Sequence, residues 1–187
     1  MRTSVKFLAV CAGAPAVALC VGAPTAWAAP STDANVTPQT TNGSLSVSAG
    51  GSPLVQLGNE SMATTKGASL AVAFNVPGTK GSTADANGTG NFVVAGDNSS
   101  ASATGNFNDV RAFNNSDVDV TGSFNHVGAR NNSDVDVTGS FNMVRVRDNS
   151  EADVTGNNNT VTALCGGSAE VSNQNNQFVL KAPCLGQ

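Results

Sequence analysis

The sequence predicts an all-β chain: a single-chain β-solenoid of about seven 17-residue coils, with two short strands in each coil. Three observations lead there. Residue types recur in columns seventeen positions apart. Within one copy, apolar and polar residues alternate with period two. No window carries the 3.6-residue period of an amphipathic helix.

The columns are long. Gly stands at 88, 105, 122, 139 and 156, with Asn173 in step after it. Asn stands at 91, 108, 125, 142, 159 and 176. Val stands at 76, 93, 110, 127, 144 and 161, followed by Phe178, and Ser at 82, 99, 116, 133 and 150. A further apolar column runs Ala86, Ala103, Val120, Val137, Val154, Val171. The clearest copies are GSFNHVGARNNSDVDVT (122–138) and GSFNMVRVRDNSEADVT (139–155). Inside the first, Asn125, Val127 and Ala129 share one parity, and Ser133, Val135 and Val137 share the next run, which reads as two strands. Asn131-Asn132 and Gly139-Ser140 separate the runs, and Asn and Gly supply the left-handed backbone that sharp turns need. One copy cannot bury its apolar side alone, whereas stacked copies can. Each coil then adds one strand spacing, roughly 4.8 Å, and seven coils make a column roughly 30–35 Å long.

The inward columns would be Asn, Val, Ala, Ser, Val and Val, all small enough for a narrow two-layer interior. A buried amide must find partners. Asn91, Asn108, Asn125, Asn142, Asn159 and Asn176 are therefore expected to donate to one another along the axis as a ladder. Gly88, Gly105, Gly122, Gly139 and Gly156 are the expected turn glycines.

The remaining segments follow in chain order. Arg2 and Lys6 precede the apolar run FLAVCAGAPAVALCVGA (7–23), and Ala26-Trp27-Ala28 forms an A-x-A site. Residues 1–28 thus read as a bacterial-type secretory signal peptide, so the chain is expected outside the cell or on its surface, with no membrane span after cleavage. Residues 29–43 are polar, contain two prolines and read as a disordered lead. Residues 44–87 read as degenerate N-terminal coils, 88–172 as the regular repeats and 173–187 as a C-terminal cap. Of the four cysteines, Cys11 and Cys20 leave with the signal; Cys165 and Cys184 remain and are expected to pair, clipping the C-terminus.

The motif Ser-x-Val-x-Val-x-Gly-x-x-Asn-x-Val-x-Ala, carried by Ser116–Gly122 and Asn125–Ala129, resembles the repeat of curlin subunits. In that family Ser, Gly and Asn bracket alternating small and apolar residues, and the coils build extracellular amyloid fibres. The likeness covers residues 82–178. The copies are shorter than curlin's and lack its Gln ladders. The Ser-x-Ala-x-Ala runs are also similar to the head repeats of surface adhesins. Both likenesses imply a structural or adhesive role at the cell surface, with self-association or extracellular components as partners.

Charge restricts the alternatives. The net charge is −4, and loss of Arg2 and Lys6 leaves seven Lys+Arg against 13 acids, a net −6. A nucleic-acid binder would need a basic stripe. With His126 as the single histidine, any mechanism needing two is excluded. Asp117, Asp119, Asp134, Asp136, Glu151 and Asp153 should line one outer face, with Glu170 beyond, and Arg111, Arg130, Arg145 and Arg147 the other. Stacked acids repel by about 1 kcal/mol per exposed contact. Water and salt can relieve that, as can a divalent cation such as Ca²⁺ held by carboxylate oxygens, or a partner's Arg face. Phe107, Phe124 and Phe141 form a column that either makes an exposed aromatic edge or covers a corner of the core. His126 and Met143 share an outward column and read as ordinary surface.

The function expected is therefore a secreted, non-enzymatic structural or adhesive protein that assembles through stacked coils. The alternative is an extracellular module that binds a cation or ligand on its acidic face. Solenoid hydrolases have long inserted loops that build a cleft around paired acids, and the uniform copies here leave no room for one.

Overall fold

A computed structural model describes residues 43–58 and 60–181 of the chain. Among these residues there is no helix, and so none long and apolar enough to cross a membrane. The strands are β1 (Ser44–Ala49), β2 (Ser52–Leu57), β3 (Met62–Lys66), β4 (Leu70–Asn75), β5 (Thr83–Thr89), β6 (Phe92–Gly96), β7 (Ser100–Asn106) and β8 (Asp109–Phe113). They continue as β9 (Asp117–Ser123), β10 (His126–Arg130), β11 (Asp134–Thr138), β12 (Met143–Arg147), β13 (Glu151–Thr155), β14 (Thr160–Leu164), β15 (Ser168–Val171) and β16 (Phe178–Lys181).

Odd and even strands separate into two sheets from β3 onward. One runs β15-β13-β11-β9-β7-β5-β3; the other runs β16-β14-β12-β10-β8-β6-β4-β1-β2. Pairing through the repeats is parallel and in register, so Val127 sits on Val110 and Val144, and Val135 on Val118. This is the expected β-solenoid of about seven coils with two short strands each. Alternation decides which residues go inside. Val93, Val110, Val127, Val144 and Val161 line one inner surface, and Val118, Val135 and Val137 the other, all at most 2% exposed. Alanines such as Ala95, Ala112 and Ala129 fill the rest, because the interior has no depth for larger side chains.

The Asn column closes one corner. In each coil the Asn Oδ1 accepts the backbone N–H of the Asn one coil later: 3.0 Å from Asn108 to Asn91, 3.0 Å from Asn125 to Asn108, 3.0 Å from Asn142 to Asn125 and 2.9 Å from Asn159 to Asn142. From Asn108 to Asn142 the side-chain Nδ2 donates to the same oxygen at 3.0–3.1 Å. It also donates to a glycine carbonyl in the next coil, as Asn125 does to Gly139 at 2.8 Å. That carbonyl occupies the space where a Cβ on the preceding glycine would stand: a Cβ on Gly122 would lie 1.7 Å from the Gly139 oxygen. Glycine is obligatory there on a second ground, since φ of Gly122 is 136°. A Ser column serves the opposite corner. Ser116 and Ser133 receive and pass on the same bond, backbone N–H to the Oγ of the Ser one coil earlier, at 3.1 and 3.2 Å. No buried side-chain polar atom among the described residues lacks a partner.

The two ends depart from the repeat. Residues 44–57, expected as degenerate coils, form a β1–β2 hairpin laid antiparallel on β4. Its inward side chains are Ser44, Ser46 and Ser48, all buried. Ser46 Oγ accepts the Ala63 N–H at 2.9 Å, and Ser48 Oγ meets Thr65 Oγ1 at 2.8 Å. An extra strand with hydroxyls on its inner side thus covers the end of an apolar interior. The next coils are long: Met62 pairs with Thr83 and Leu70 with Phe92, steps of 21 and 22 residues. Val76 therefore falls out of the Val column and is 48% exposed, while Ala71 takes its place under Val93.

At the other end one residue is inserted. Val154 still pairs with Val171, but Thr160 pairs with Phe178 and Val161 with Val179. Asn173, at φ 51°, lies in the extra step. Three column assignments shift by one as a result. Gln174, not Asn173, follows Gly156; Val179, not Phe178, follows Val161; and the backbone N–H of Gln177, not that of Asn176, bonds to Asn159 Oδ1, at 2.9 Å. Asn176 is exposed and outside the ladder. Residues 1–42 and 182–187, with the expected signal, the lead and Cys184, lie outside the described residues.

Replacing Asn125 by Ala would strand two donors of Asn142 and the Gly139 carbonyl in a dry corner. We expect a loss of about 2–4 kcal/mol in the denaturant midpoint analysis. Asn132→Gly removes only two exposed bonds, one from Asn115 and one to Asn149, and keeps the left-handed backbone, so about 0.5 kcal/mol or less is expected. Equal losses would show that the buried ladder has no special weight.

Candidate functional site

With the interior filled, chemistry can lie only on the outer faces and corners. On the seven-stranded sheet the outward residues are acidic over its C-terminal half. One row is Asp117, Asp134 and Glu151; the next is Asp119, Asp136, Asp153 and Glu170, each in direct register with its neighbour. Toward the N-terminus the same rows carry Ser100 and Ser102, then Thr83 and Asp85. Asp136 lies at the middle of the cluster. Burial, and then the carboxylates of Asp134, Asp119, Asp153 and Asp117, push its pKa above the ordinary value.

The nine-stranded sheet presents a mixed face where a basic one was expected. Arg130 and Arg147 are adjacent in one row, but Gly128 separates Arg111 from Arg145 in the next. Arg111 is taken up by Asp109 on its own strand, with Nε and Nη2 donating at 2.8 and 2.9 Å. The same Asp109 Oδ2 that accepts from Arg111 Nη2 lies 3.1 Å from His126 Nδ1. The histidine therefore has an acidic partner that the sequence did not reveal, because the two meet only through the coil register. Both side chains are partly open to water, and the geometry is that of an exposed polar cluster. Aromatic rings account for much of the rest. The Arg111 guanidinium lies 5.6 Å from the Phe92 ring centre and that of Arg130 5.4 Å from Phe113. Phe74 and Phe113 approach to 6.2 Å across Gly96, where any Cβ would strike the Phe74 ring at 2.6 Å.

The two corners carry ladders of their own. Asn114-Asn115 and Asn131-Asn132 turn the chain from one sheet to the other with every φ between 56° and 64°. Their amides stack outside the body: Asn114 donates to Asn131 at 3.0 Å, Asn115 to Asn132 at 2.7 Å and Asn131 to Asp148 at 2.7 Å. Asn98 donates to Asn115 in the same way. These residues, with Lys80 and Asp97, border a shallow open groove of about 470 Å³. At the opposite corner stand Phe107, Phe124 and Phe141. They do not cover the core. They are 51–58% exposed, and their rings stack at 5.2 and 5.0 Å with interplanar angles of 16° and 3°.

Among the described residues no group of three or more His, Cys, Asp and Glu side chains is placed to hold a metal ion. The acids share one face in rows along parallel strands. Comparison with known protein families, with curated proteins and with solved structures finds no match for this chain.

The acidic face makes a pH prediction. A native pKa above the unfolded one means that the folded chain holds this proton more tightly. The ionisation of Asp136 therefore works against the fold as pH rises from the unfolded value through the native one, and the cost stays constant above that. Asp136→Asn should raise the melting temperature at neutral pH, by the equivalent of about 0.5 kcal/mol or less given its exposure. The gain should vanish in acid, where Asp136 is already protonated. A variant less stable at neutral pH would count against repulsion along the row.

Proposed function

We propose that this is a secreted, non-enzymatic structural or adhesive protein of the cell surface, which assembles into fibres by stacking one solenoid end on another. The observation that carries the reading is the direction of the end strands. β1 is antiparallel to both β4 and β2, so β2 runs the same way as β4 and, through six parallel pairings, as β16. In the other sheet β3 and β15 run alike as well. The C-terminal edge of one copy can therefore continue into the N-terminal edge of the next with both sheets parallel. Such a joint is heterologous and does not close, the condition for a filament.

Exposed apolar side chains sit at these ends. Leu54, Val55, Leu57 and Met62 lie on the first edges; Phe178, 75% exposed, and Leu180 lie on the last. The resemblance of the repeat to curlin agrees with this reading, as does the run of residues 1–28 that reads as an export signal. A Cys165–Cys184 bond, formed outside the cell, would hold the last segment against β14 and control access to that edge.

The test is assembly of purified protein, followed by sedimentation and by amyloid-dye fluorescence with and without reductant. Fibres are expected, with a lag that shortens as concentration rises. Phe178→Asp with Leu180→Asp puts charge on the last edge and should leave the protein folded but monomeric. A chain that stays monomeric under every condition, reductant included, sinks the reading.

A further inference from the structure

Phe107, Phe124 and Phe141 occupy a backbone position that disfavours them. Their φ angles are 56°, 59° and 61°, the left-handed region in which a bulky side chain is a rarity. The same corner position is held by Gly90 before them, at φ 71°, and by Asn158 and Asn176 after them, at 57° and 60°. The backbone bond is also the same throughout. Phe107, Phe124 and Phe141 donate their N–H to Thr89, Asn106 and Ser123 at 2.9–3.0 Å, and Asn158 donates to Ser140 at 3.0 Å. The turn is thus made equally well by Gly or Asn, and folding does not call for phenylalanine there. Three consecutive coils nonetheless hold it, with more than half of each side chain in water.

The surroundings indicate what the stack meets. Next to it runs a row of Asn106, Ser123, Ser140 and Asn157. The side-chain oxygen of each of the last three accepts a backbone N–H of the preceding coil, at 2.8–3.2 Å. Among the described residues their own O–H and N–H₂ donors have no protein partner. Beyond the glycine column lie Thr121 and Thr138, both exposed. From the threonines to the phenyl rings the corner carries no charged side chain. An anionic lipid, a nucleic acid or an acidic peptide has no cation to meet here. A protein partner would need far more area than three half-exposed rings offer, since stable interfaces bury about 800 Å² a side. What remains is a neutral ligand with apolar C–H faces and a rim of oxygens, repeated at about the strand spacing of roughly 4.8 Å. An extended sugar polymer has that chemistry.

We infer that the Phe107–Phe124–Phe141 stack, with the Ser123 and Ser140 donors beside it, is a binding strip for a neutral β-linked polysaccharide lying along the solenoid axis. The C–H faces of successive sugars pack on the rings while their hydroxyls meet the Ser and Asn donors. The inference deepens the adhesive half of the proposed function and rests on it, but needs no fibre.

The experiment is depletion of purified protein from solution by insoluble cellulose and by chitin, the two differing in the group beside the sugar hydroxyls. The wild type should be retained by at least one of them. Phe107→Asn, Phe124→Asn and Phe141→Asn together should weaken retention about tenfold or more, which corresponds to about 1.4 kcal/mol. Asn suits the left-handed position, so the far-ultraviolet spectrum and melting temperature should hold. Asp117→Asn with Asp134→Asn should bind as the wild type does, and raised salt should not release the protein, since no ion pair is involved. The end-blocked F178D/L180D protein should also bind, so that loss of stacking and loss of glycan binding are read separately. Equal retention of the wild type and the triple variant, release by salt, or no retention of the wild type on either polymer would each overturn the assignment.

Discussion

The structure depends on one arrangement at one corner. A glycine carbonyl turns inward and is captured by the amide of an Asn in the coil before it, in the space that a side chain on the preceding glycine would fill. Gly and Asn are therefore not two separate signatures of the repeat. They form one device, and neither works without the other. The Asn oxygen then takes two donors from the next Asn, so every coil is tied to the next by side chains as well as by strands. In a body whose core is only Val and Ala, apolar burial per coil is modest. The ladder adds satisfied polar contacts where an unsatisfied one would cost more than a hydrogen bond returns.

That device also explains the rigid period. A coil can change length only where the corner is not repeated. The long steps of 21 and 22 residues fall at the N-terminal end, where Ser69 stands in the Asn column. The step of 18 falls at the C-terminal end, after the last glycine of the series. Between them every pairing keeps its register, and the outer surface becomes a set of rows whose chemistry is free to vary. Acids, arginines, amides and phenyl rings each occupy rows of their own without disturbing the interior.

This freedom places function on the surface. Among the described residues the interior is filled by Val and Ala side chains, and the acids stand in register along the outer sheet. What distinguishes the molecule is repetition: identical groups set at strand spacing, and two ends whose strands run in the same sense. Both features suit contact with something equally repetitive, either another copy or an extended polymer. The strained phenylalanines are the clearest instance, because the turn beneath them is made elsewhere by Gly and Asn.

Period, strand count and the identity of the inward columns were legible in the sequence, since stacking identical coils turns a spacing of seventeen into direct contact. Five of the six ladder asparagines and all five turn glycines could be read from spacing alone. Tertiary structure decided the rest. The antiparallel hairpin of β1 and β2 has the same serine–apolar alternation as a coil, and alternation carries no sign of strand direction. The residue inserted around Asn173 left no mark, because Asn and Gln both continue a polar run. Proximity of His126 to Asp109, and the exposure of the Phe stack, depend on how far each corner stands out from the body. Local pattern determines which residues share a face; only packing decides how much of that face water reaches.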